Sequence, residues 1–252
     1  MRIDLTDKVV LVTGASRGIG AAIATQLGEA NASVAVHCNT NTEEAAKVAA
    51  QIGNKAKVFQ ANLANSSEVD GLISEVIEAF GEIDVLVNNA GIAISSNLEN
   101  DTENWLADWN ETMAVNLSAT ALLCKNSIHH FLNNDGGIII NISSRAAFRG
   151  DTQDYFAYAA SKGGVVALTK SIARAFGKQN IVAYSVAPGF TKTDMAQDFI
   201  DAYGEDFATK DLSLSELTKP EDIAPTVVFL ASGLAKHATG TTIDINAGSY
   251  VR

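Results

Sequence analysis

Cysteine is scarce in this sequence. Only Cys38 and Cys124 occur among 252 residues, and neither has a partner at metal-ligand spacing. This usage fits a reducing compartment, so we predict a cytoplasmic protein in which both cysteines are small core or near-core residues. The histidines at positions 37, 129, 130 and 237 form no HxxxH or similar pattern. We therefore predict no metal site and expect all four in surface or capping positions.

Long apolar runs are also missing. No run approaches the roughly 20 apolar residues that a membrane span needs, and residues 1–7 contain no apolar segment of a secretory signal. Basic residues are outnumbered, because 18 Lys and Arg face 29 Asp and Glu for a net charge of -11. This balance disfavours nucleic acids and acidic protein surfaces as partners.

Hydrophobic residues are plentiful, at 47% of the chain. At this length they suffice for one large core, and the sequence shows no internal repeat, linker or low-complexity stretch. We therefore predict a single domain over residues 1–252.

Short apolar runs alternate with helical patterns along the whole chain. This alternation predicts an α/β fold of the Rossmann type, with about seven parallel strands in a doubly wound sheet and helices on both faces. The predicted strands are residues 8–13, 33–38, 56–61, 83–87, 136–142, 181–187 and 239–246. The main predicted helices are residues 21–27, 42–53, 66–80, 101–131 (with a break), 155–176 and a further helix from 220.

A glycine-rich turn joins the first predicted strand to the first helix. Exposed N–H groups, the positive end of a helix dipole and the lack of Cβ atoms make such a turn a site for phosphate groups. Its position between strand and helix favours a dinucleotide site over an ordinary tight turn. The candidate residues are Gly14, Ser16, Arg17, Gly18, Ile19 and Gly20.

A tyrosine and a lysine are four residues apart in the helix at 155–176. Tyr158 and Lys162 therefore lie on one face of that helix. A lysine ammonium one turn away is expected to lower the pKa of the phenol, so that the pair can act as a general acid or base on a carbonyl or hydroxyl. The same spacing also occurs on ordinary helices, and the pair gains meaning only from the motifs before it.

Several motifs stand in a characteristic order, and together they resemble the short-chain dehydrogenase/reductase family over nearly the whole chain. Within that family, the motif pattern most resembles the 3-oxoacyl-(acyl-carrier-protein) reductase branch. The motifs are the glycine turn with Thr13 before it, Asn88 to Gly91, Asn116, Ser144, Tyr158 with Lys162, and Pro188-Gly189.

The resemblance implies four catalytic residues. Tyr158 would donate the proton to a carbonyl oxygen, and Lys162 would lower the tyrosine pKa and bind the nicotinamide ribose. Ser144 would orient the substrate oxygen, and Asn116 would distort its helix and hold a water in a proton path. The family spacing between serine and tyrosine points to Arg145, which cannot serve. The spacing from Asn116 selects Ser144 and implies a one-residue insertion before Tyr158.

The resemblance also implies NADP(H) as cofactor, with NAD possible. No acid stands at positions 38–41 to bind a ribose 2′-hydroxyl, whereas Arg17 and Asn39 suit the 2′-phosphate of NADP. Two alternatives remain open. Arg17 could only cap a helix, and Asn62 could be an Asx cap for the helix at 66–80. Besides the glycine turn, the implied cofactor residues are Asn39, Asn62, Leu63, Asn89, Ala90, Gly91, Tyr158, Lys162, Pro188, Gly189, Thr191 and Thr193.

The expected function is NADP(H)-dependent interconversion of an alcohol and a ketone or aldehyde on a small molecule. Alternatives are a 3-oxoacyl-(acyl-carrier-protein) reductase and a non-catalytic dinucleotide-binding regulator. An acidic carrier protein needs a basic landing patch, yet residues 127–135 contain no Lys or Arg. Small-residue helix faces, with the resemblance, predict a homotetramer.

Residues 192–217 are the least family-like segment. They contain Met195, Phe199, Tyr203, Phe207 and several acids, and we expect a helical lid that shapes the substrate pocket. A plain surface excursion is the alternative. Arg145 and Arg149 flank the site and are expected as solvated surface arginines, with contact to an anionic substrate as the alternative.

Overall fold

The structure is a computed structural model that describes residues 3–251, except for the side chains of residues 198, 202, 203, 205 and 207. The expected pocket roles of Tyr203 and Phe207 therefore lie outside the described residues. Across residues 3–251, no helix combines the length and the apolar character needed to cross a membrane.

Seven strands form one sheet in which every neighbouring pair is parallel. The spatial order is β3-β2-β1-β4-β5-β6-β7, so the strand order reverses between β1 and β4. This arrangement confirms the α/β fold class, and the reversal leaves a crevice at the carboxyl ends of β1 and β4. The strands are β1 (Val9–Val12), β2 (Ser33–Cys38), β3 (Ala56–Gln60), β4 (Val85–Asn88), β5 (Gly137–Ile142), β6 (Ile181–Pro188) and β7 (Thr242–Ile245).

Helices cover both faces of the sheet. The helices are α1 (Gly18–Glu29), α2 (Thr42–Ile52), α3 (Ser66–Phe80), α4 (Thr102–Met113), α5 (Ala119–Leu132), α6 (Ala146–Arg149), α7 (Phe156–Phe176), α8 (Asp194–Tyr203), α9 (Glu205–Thr209) and α10 (Pro220–Ala231). Short 3-10 turns occupy Gln153–Tyr155, Gly177–Gln179 and Lys236–Ala238.

The central strands β1, β4, β5 and β6 are largely apolar because each packs against helices on both faces of the sheet. Val10 and Val12 of β1 pack with α1, α2 and α10, whereas Val9 and Leu11 pack with α3, α5 and α7. Successive side chains of a strand point to opposite faces, so a strand covered on both sides has no solvent face. This double burial explains the continuous apolar runs in the sequence.

The long helical region after β4 is broken where the sequence predicts a break. Ala114–Ser118 form a π-helical turn between α4 and α5, and Asn116 is buried within it. The Asn116 side chain accepts a hydrogen bond from the Ile92 N–H (2.8 Å) and donates one to the Ile92 carbonyl (2.9 Å). These bonds tie the turn to the loop after β4.

The segment at 192–217 is closed at its base. Thr191 and Thr218 form an isolated parallel bridge, and the Lys192 N–H donates to the Thr218 carbonyl (2.8 Å). The segment between them contains α8 and α9, which confirms its helical character. Because its two ends meet beside the end of β6, the excursion stands over the carboxyl edge of the sheet.

Candidate active site

The glycine turn lies directly against the loop after β4. Gly14 has a φ of +63°, and a Cβ there would lie 2.9 Å from the Ala90 Cα. A Cβ on Gly20 would overlap the Gly14 carbonyl oxygen and lie 2.5 Å from the Asn89 amide nitrogen. Only glycine fits at these two positions, because one needs left-handed backbone and the other has no room for a side chain.

Thr13 and Asn89 fasten the two loops together. The Thr13 hydroxyl oxygen accepts hydrogen bonds from the N–H groups of Asn89 (2.9 Å) and Ala90 (3.0 Å). The Asn89 side-chain amide donates to the carbonyls of Thr13 (2.9 Å) and Gly14 (3.1 Å). The backbone around Ala90 and Gly91 is therefore held beside the turn.

His37 belongs to the support of the same turn, and its expected surface or capping position is wrong. The ring is 1% exposed, its Nδ1 accepts from the Gly14 N–H (3.0 Å), and its Nε2 lies 3.1 Å from the Ala61 carbonyl. Both contacts are satisfied only when the proton sits on Nε2. Burial lowers the pKa of His37 to about 4, so the neutral ring persists at physiological pH.

Arg17 stands at the opening of the cleft. It occupies the residue before α1, but its side chain makes no capping hydrogen bond, so the interpretation as a helix cap is wrong. Its Nη1 instead donates to the Asp194 carboxylate at 3.1 Å, and both side chains are more than half exposed. Arg17 and Asn39 both line the cleft beyond the end of β2.

Asn62 follows β3 and forms a local turn. Its side-chain oxygen accepts from the Ala64 N–H (2.9 Å), while the cap of α3 is Asn65, which accepts from the Ser67 N–H (3.1 Å). The alternative in which Asn62 caps α3 is therefore wrong. Asn62 and Leu63 line the same end of the cleft as Asn39.

Ser144, Tyr158 and Lys162 meet at the deep end of the cleft. Ser144 follows β5, and its side chain is hydrogen-bonded to that of Tyr158 on α7. The Lys162 Nζ lies 5.8 Å from the Tyr158 ring centroid and donates to the Ile142 carbonyl (2.9 Å). The structure therefore brings Ser144, and not the following arginine, to the tyrosine.

Asn116 stands behind this group and does not line the cleft. Its side chain is engaged with Ile92 and donates to the Ser161 hydroxyl (3.1 Å). Gly91 fills the space between Asn116 and Lys162, since a Cβ there would lie 3.2 Å from the Asn116 Oδ1 and 3.3 Å from the Lys162 Nζ. Asn116 thus fixes the floor of the cleft next to the lysine.

The pKa of Tyr158 shifts in the direction opposite to the expectation. Burial raises it, the hydrogen bond from Ser144 lowers it, and the charge of Asp151 raises it. Burial also lowers the pKa of the Lys162 ammonium to about 8. Because desolvation disfavours both charged forms, the phenol stays protonated at neutral pH.

The cleft has a volume of about 550 Å³ and collects almost all of the expected site residues. Its apolar wall includes Phe190, Met195 and Phe199, and the Phe199 ring lies 4.3 Å from that of Tyr155. The expected residues that line it are Gly14, Ser16, Arg17, Gly18, Ile19, Gly20, Asn39, Asn62, Leu63, Asn89, Ala90, Gly91, Ser144, Tyr158, Lys162, Pro188, Gly189, Thr191 and Thr193.

Arg145 is not a solvated surface arginine, so that expectation is wrong. Its side chain is 8% exposed, and its guanidinium carbon lies 5.3 Å from the centroid of the Phe190 ring. The Arg145 N–H also donates to the Pro188 carbonyl (2.9 Å), which fixes the backbone. Arg149 is only partly buried and donates to the Asp211 carboxylate at 2.9 Å.

Known proteins share this fold. A family model described as short chain dehydrogenase matches residues 8–204. The chain belongs to the short-chain dehydrogenase family. This membership confirms the expectation of an NAD(P)-dependent oxidoreductase acting on CH–OH groups.

Individual relatives match along nearly their whole length. The chain is 40% identical over 247 residues to the 3-oxoacyl-(acyl-carrier-protein) reductase FabG of Staphylococcus aureus strain Mu50, covering 97% of this chain and 98% of the relative. The structure of a dehydrogenase/reductase from Sinorhizobium meliloti 1021 superposes with a TM-score of 0.90 at 36% identity. The match covers 99% of this chain and 98% of that protein. A short chain dehydrogenase from Burkholderia cenocepacia J2315, solved in complex with NADP, superposes with a TM-score of 0.90 at 35% identity. The match covers 97% of this chain and 98% of that protein.

Proposed function

We propose that this protein reduces a ketone or aldehyde on a small molecule with NADPH, or oxidises the corresponding alcohol with NADP. The observation that carries the proposal is the hydrogen-bonded pair of Ser144 and Tyr158, placed beside Lys162 in the same cleft as the glycine turn. One end of the cleft offers two hydroxyls and a buried cation, which suit a carbonyl group. The other end offers the glycine turn, which suits the phosphates of a dinucleotide.

The cleft fits a dinucleotide. No side chain of the described residues caps the start of α1, so its N–H groups and positive dipole end remain for a pyrophosphate. Gly14 and Gly20 have no side chains that could cover this backbone. Thr191 and Thr193 line the cleft from the loop after β6 and add hydroxyls. When bound, the nicotinamide supplies or accepts the hydride, and the protein supplies placement and proton transfer.

Tyr158 acts as the general acid in the direction of reduction. Its raised pKa keeps the proton on the phenol until a carbonyl oxygen gains negative charge. Ser144 donates a second hydrogen bond to that oxygen and stabilises the developing charge. The Lys162 ammonium lies one helical turn away and favours the phenolate once the proton has left. Asn116 holds the backbone of Ile92 and thereby positions the loop beside Lys162.

Arg17 selects the phosphorylated cofactor. It and Asn39 stand beyond β2, where an acidic residue would favour NAD, and residues 38–41 contain no acid. A guanidinium binds a phosphate through parallel hydrogen bonds, so the 2′-phosphate of NADP would replace the exposed carboxylate of Asp194 as its partner. The Burkholderia relative bound to NADP supports this assignment.

A 3-oxoacyl-(acyl-carrier-protein) reductase is the second candidate, favoured by the name of the Staphylococcus relative. The lack of Lys and Arg at 127–135 argues against a carrier-protein surface there. Tight binding of acyl carrier protein in a pull-down would reverse this ranking. The homotetramer, the cytoplasmic location and the single domain over 1–252 stay predictions, as does a lid function for 192–217.

The first test is nicotinamide absorbance with NADPH and NADH over a panel of ketones, aldehydes and alcohols. We expect turnover with NADPH that falls by about 10²–10⁴-fold in Tyr158→Phe, because the phenol proton is lost while the ring remains. Tight NADPH binding without turnover in the wild-type protein would support a non-catalytic regulator instead. Faster turnover with NADH would refute the role of Arg17.

A further inference from the structure

A second charged group lies beside the catalytic hydroxyls, on the side of the lid. It consists of Arg145, Arg149, Asp151 and Asp211, and the first three line the cleft. Arg149 and Asp211 form a contact pair at 2.9 Å. Arg149 and Asp211 thus neutralise each other, whereas Arg145 and Asp151 form no salt bridge with any described residue.

Arg145 is the buried member of the group. The residue is 92% buried, and its Nη1 has no hydrogen-bond partner in the part of the chain that the structure describes. The guanidinium lies over the Phe190 ring, which supplies a cation–π contact but no acceptor. Burial also lowers the pKa of Arg145, which reflects the cost of removing this charge from water.

The nearby carboxylates do not satisfy this guanidinium. Asp211 is bound to Arg149, and Asp151 is held by the Thr152 N–H at 2.9 Å. Both act on Arg145 only through space, and Arg149 repels it. A buried charge without a contacting partner is strongly unfavourable, and a carboxylate with good hydrogen-bond geometry removes that penalty.

We propose that Arg145 is a specificity-determining residue that binds a carboxylate of the substrate. Resting on the proposed function, this makes the substrate an oxo acid, or the matching hydroxy acid, rather than a simple ketone. Ser144 and Arg145 both line the cleft, so a carboxylate and the reacting carbonyl of one molecule can bind there together. Phe190 and Phe199 provide the apolar surface for the carbon chain between them.

The test compares oxo acids with their methyl esters. Pyruvate, acetoacetate, levulinate and 5-oxohexanoate, each beside its ester, place the carboxylate at increasing distance from the ketone. We expect at least one acid to exceed its ester in kcat/KM by about 10–100-fold, the range of a charge-assisted hydrogen bond to a buried arginine. Arg145→Met should lose that ratio, and Arg145→Lys should keep part of it, because Lys retains the charge without the planar fork. The ratio within one variant cancels any general loss of activity.

Two control variants separate Arg145 from the other arginines. Arg174→Met removes an exposed arginine of α7 and should leave the acid-to-ester ratio within about twofold. Arg149→Met removes the paired neighbour. Loss of the ratio in Arg149→Met but not in Arg145→Met would overturn the proposal, and so would equal turnover of acids and esters by the wild-type protein.

Two further readouts do not need turnover. A mixture of NADP and an oxo acid cannot react, so at least one of the four acids should raise the Tm of the wild-type protein and not that of Arg145→Met. Arg145→Met alone should melt about 2–4 °C higher, because it removes an unpartnered buried charge while keeping the apolar contact with Phe190. A protein without turnover that still shows both shifts would refute the proposed function and leave the carboxylate site standing. A Tm response to the acid that survives in Arg145→Met would overturn the site.

Discussion

Acidification should destabilise this protein through His37. The pKa of this buried histidine is lowered from 6.5 to about 4. Between pH 6.5 and about pH 4, His37 is protonated in the unfolded chain but neutral in the folded chain. The free energy of unfolding therefore decreases as the pH drops through this range. The shift corresponds to a loss of about 3 kcal/mol once the pH is below both values, of which about 2 kcal/mol appears between pH 7 and pH 5.

Urea unfolding at about pH 7 and about pH 5 measures this loss. His37→Gln is the matched variant, because its amide can accept from the Gly14 N–H and donate to the Ala61 carbonyl without titrating. The drop in unfolding free energy should be about 2 kcal/mol smaller in His37→Gln than in the wild-type protein. His129→Gln, which alters an exposed histidine, should behave like the wild type. An equal drop in the wild type and in His37→Gln would refute the reasoning.

Three further predictions concern the cleft. Gly20→Ala should abolish NADPH binding in a fluorescence titration, because its Cβ would overlap the Gly14 carbonyl; binding at wild-type affinity would contradict the close packing. Lys162→Met should abolish turnover yet raise the unfolding free energy at pH 7 by up to about 3 kcal/mol, since burial lowers the lysine pKa from 10.5 to about 8 and the lysine, charged in both states at pH 7, costs the folded state this desolvation energy; a less stable variant would contradict this sign. Asp194→Asn should tighten NADPH binding about 2–5-fold by releasing Arg17, while the exposed control Asp201→Asn should have no effect.

Much of the fold and the cleft could be predicted from the sequence because their signals are local. The helix Ser66–Phe80 and the strand Ser33–Cys38 have the predicted bounds, since apolar periodicity and turn residues mark both. Strand β7 is shorter than predicted, because a turn rather than a strand occupies the residues before Thr242. Most of the cofactor residues come together because they follow the carboxyl ends of parallel strands, where they share one edge of the sheet, and α7 adds Tyr158 and Lys162.

The pKa of Tyr158 could not be predicted from spacing. The spacing correctly places Lys162 on the same helix face, at 5.8 Å from the ring. The sign of the pKa shift depends instead on how deeply the folded chain buries the phenol hydroxyl. That depth is a property of the whole fold, because the cleft around Tyr158 is lined by residues from Gly14 to Phe199.

The sequence predicts His37 and Arg145 at the surface, but both are buried, and they differ in whether their polar atoms have partners. His37 lies within a strand covered on both faces, and its apolar neighbours in β2 were a signal that it has no solvent side. Its two ring nitrogens both have backbone partners, so its burial is explained by the fold alone. Arg145 has no such signal in its neighbours, and its buried Nη1 has no partner. A fold tolerates an unsatisfied charge where a ligand satisfies it, which is why Arg145, and not His37, points to the substrate.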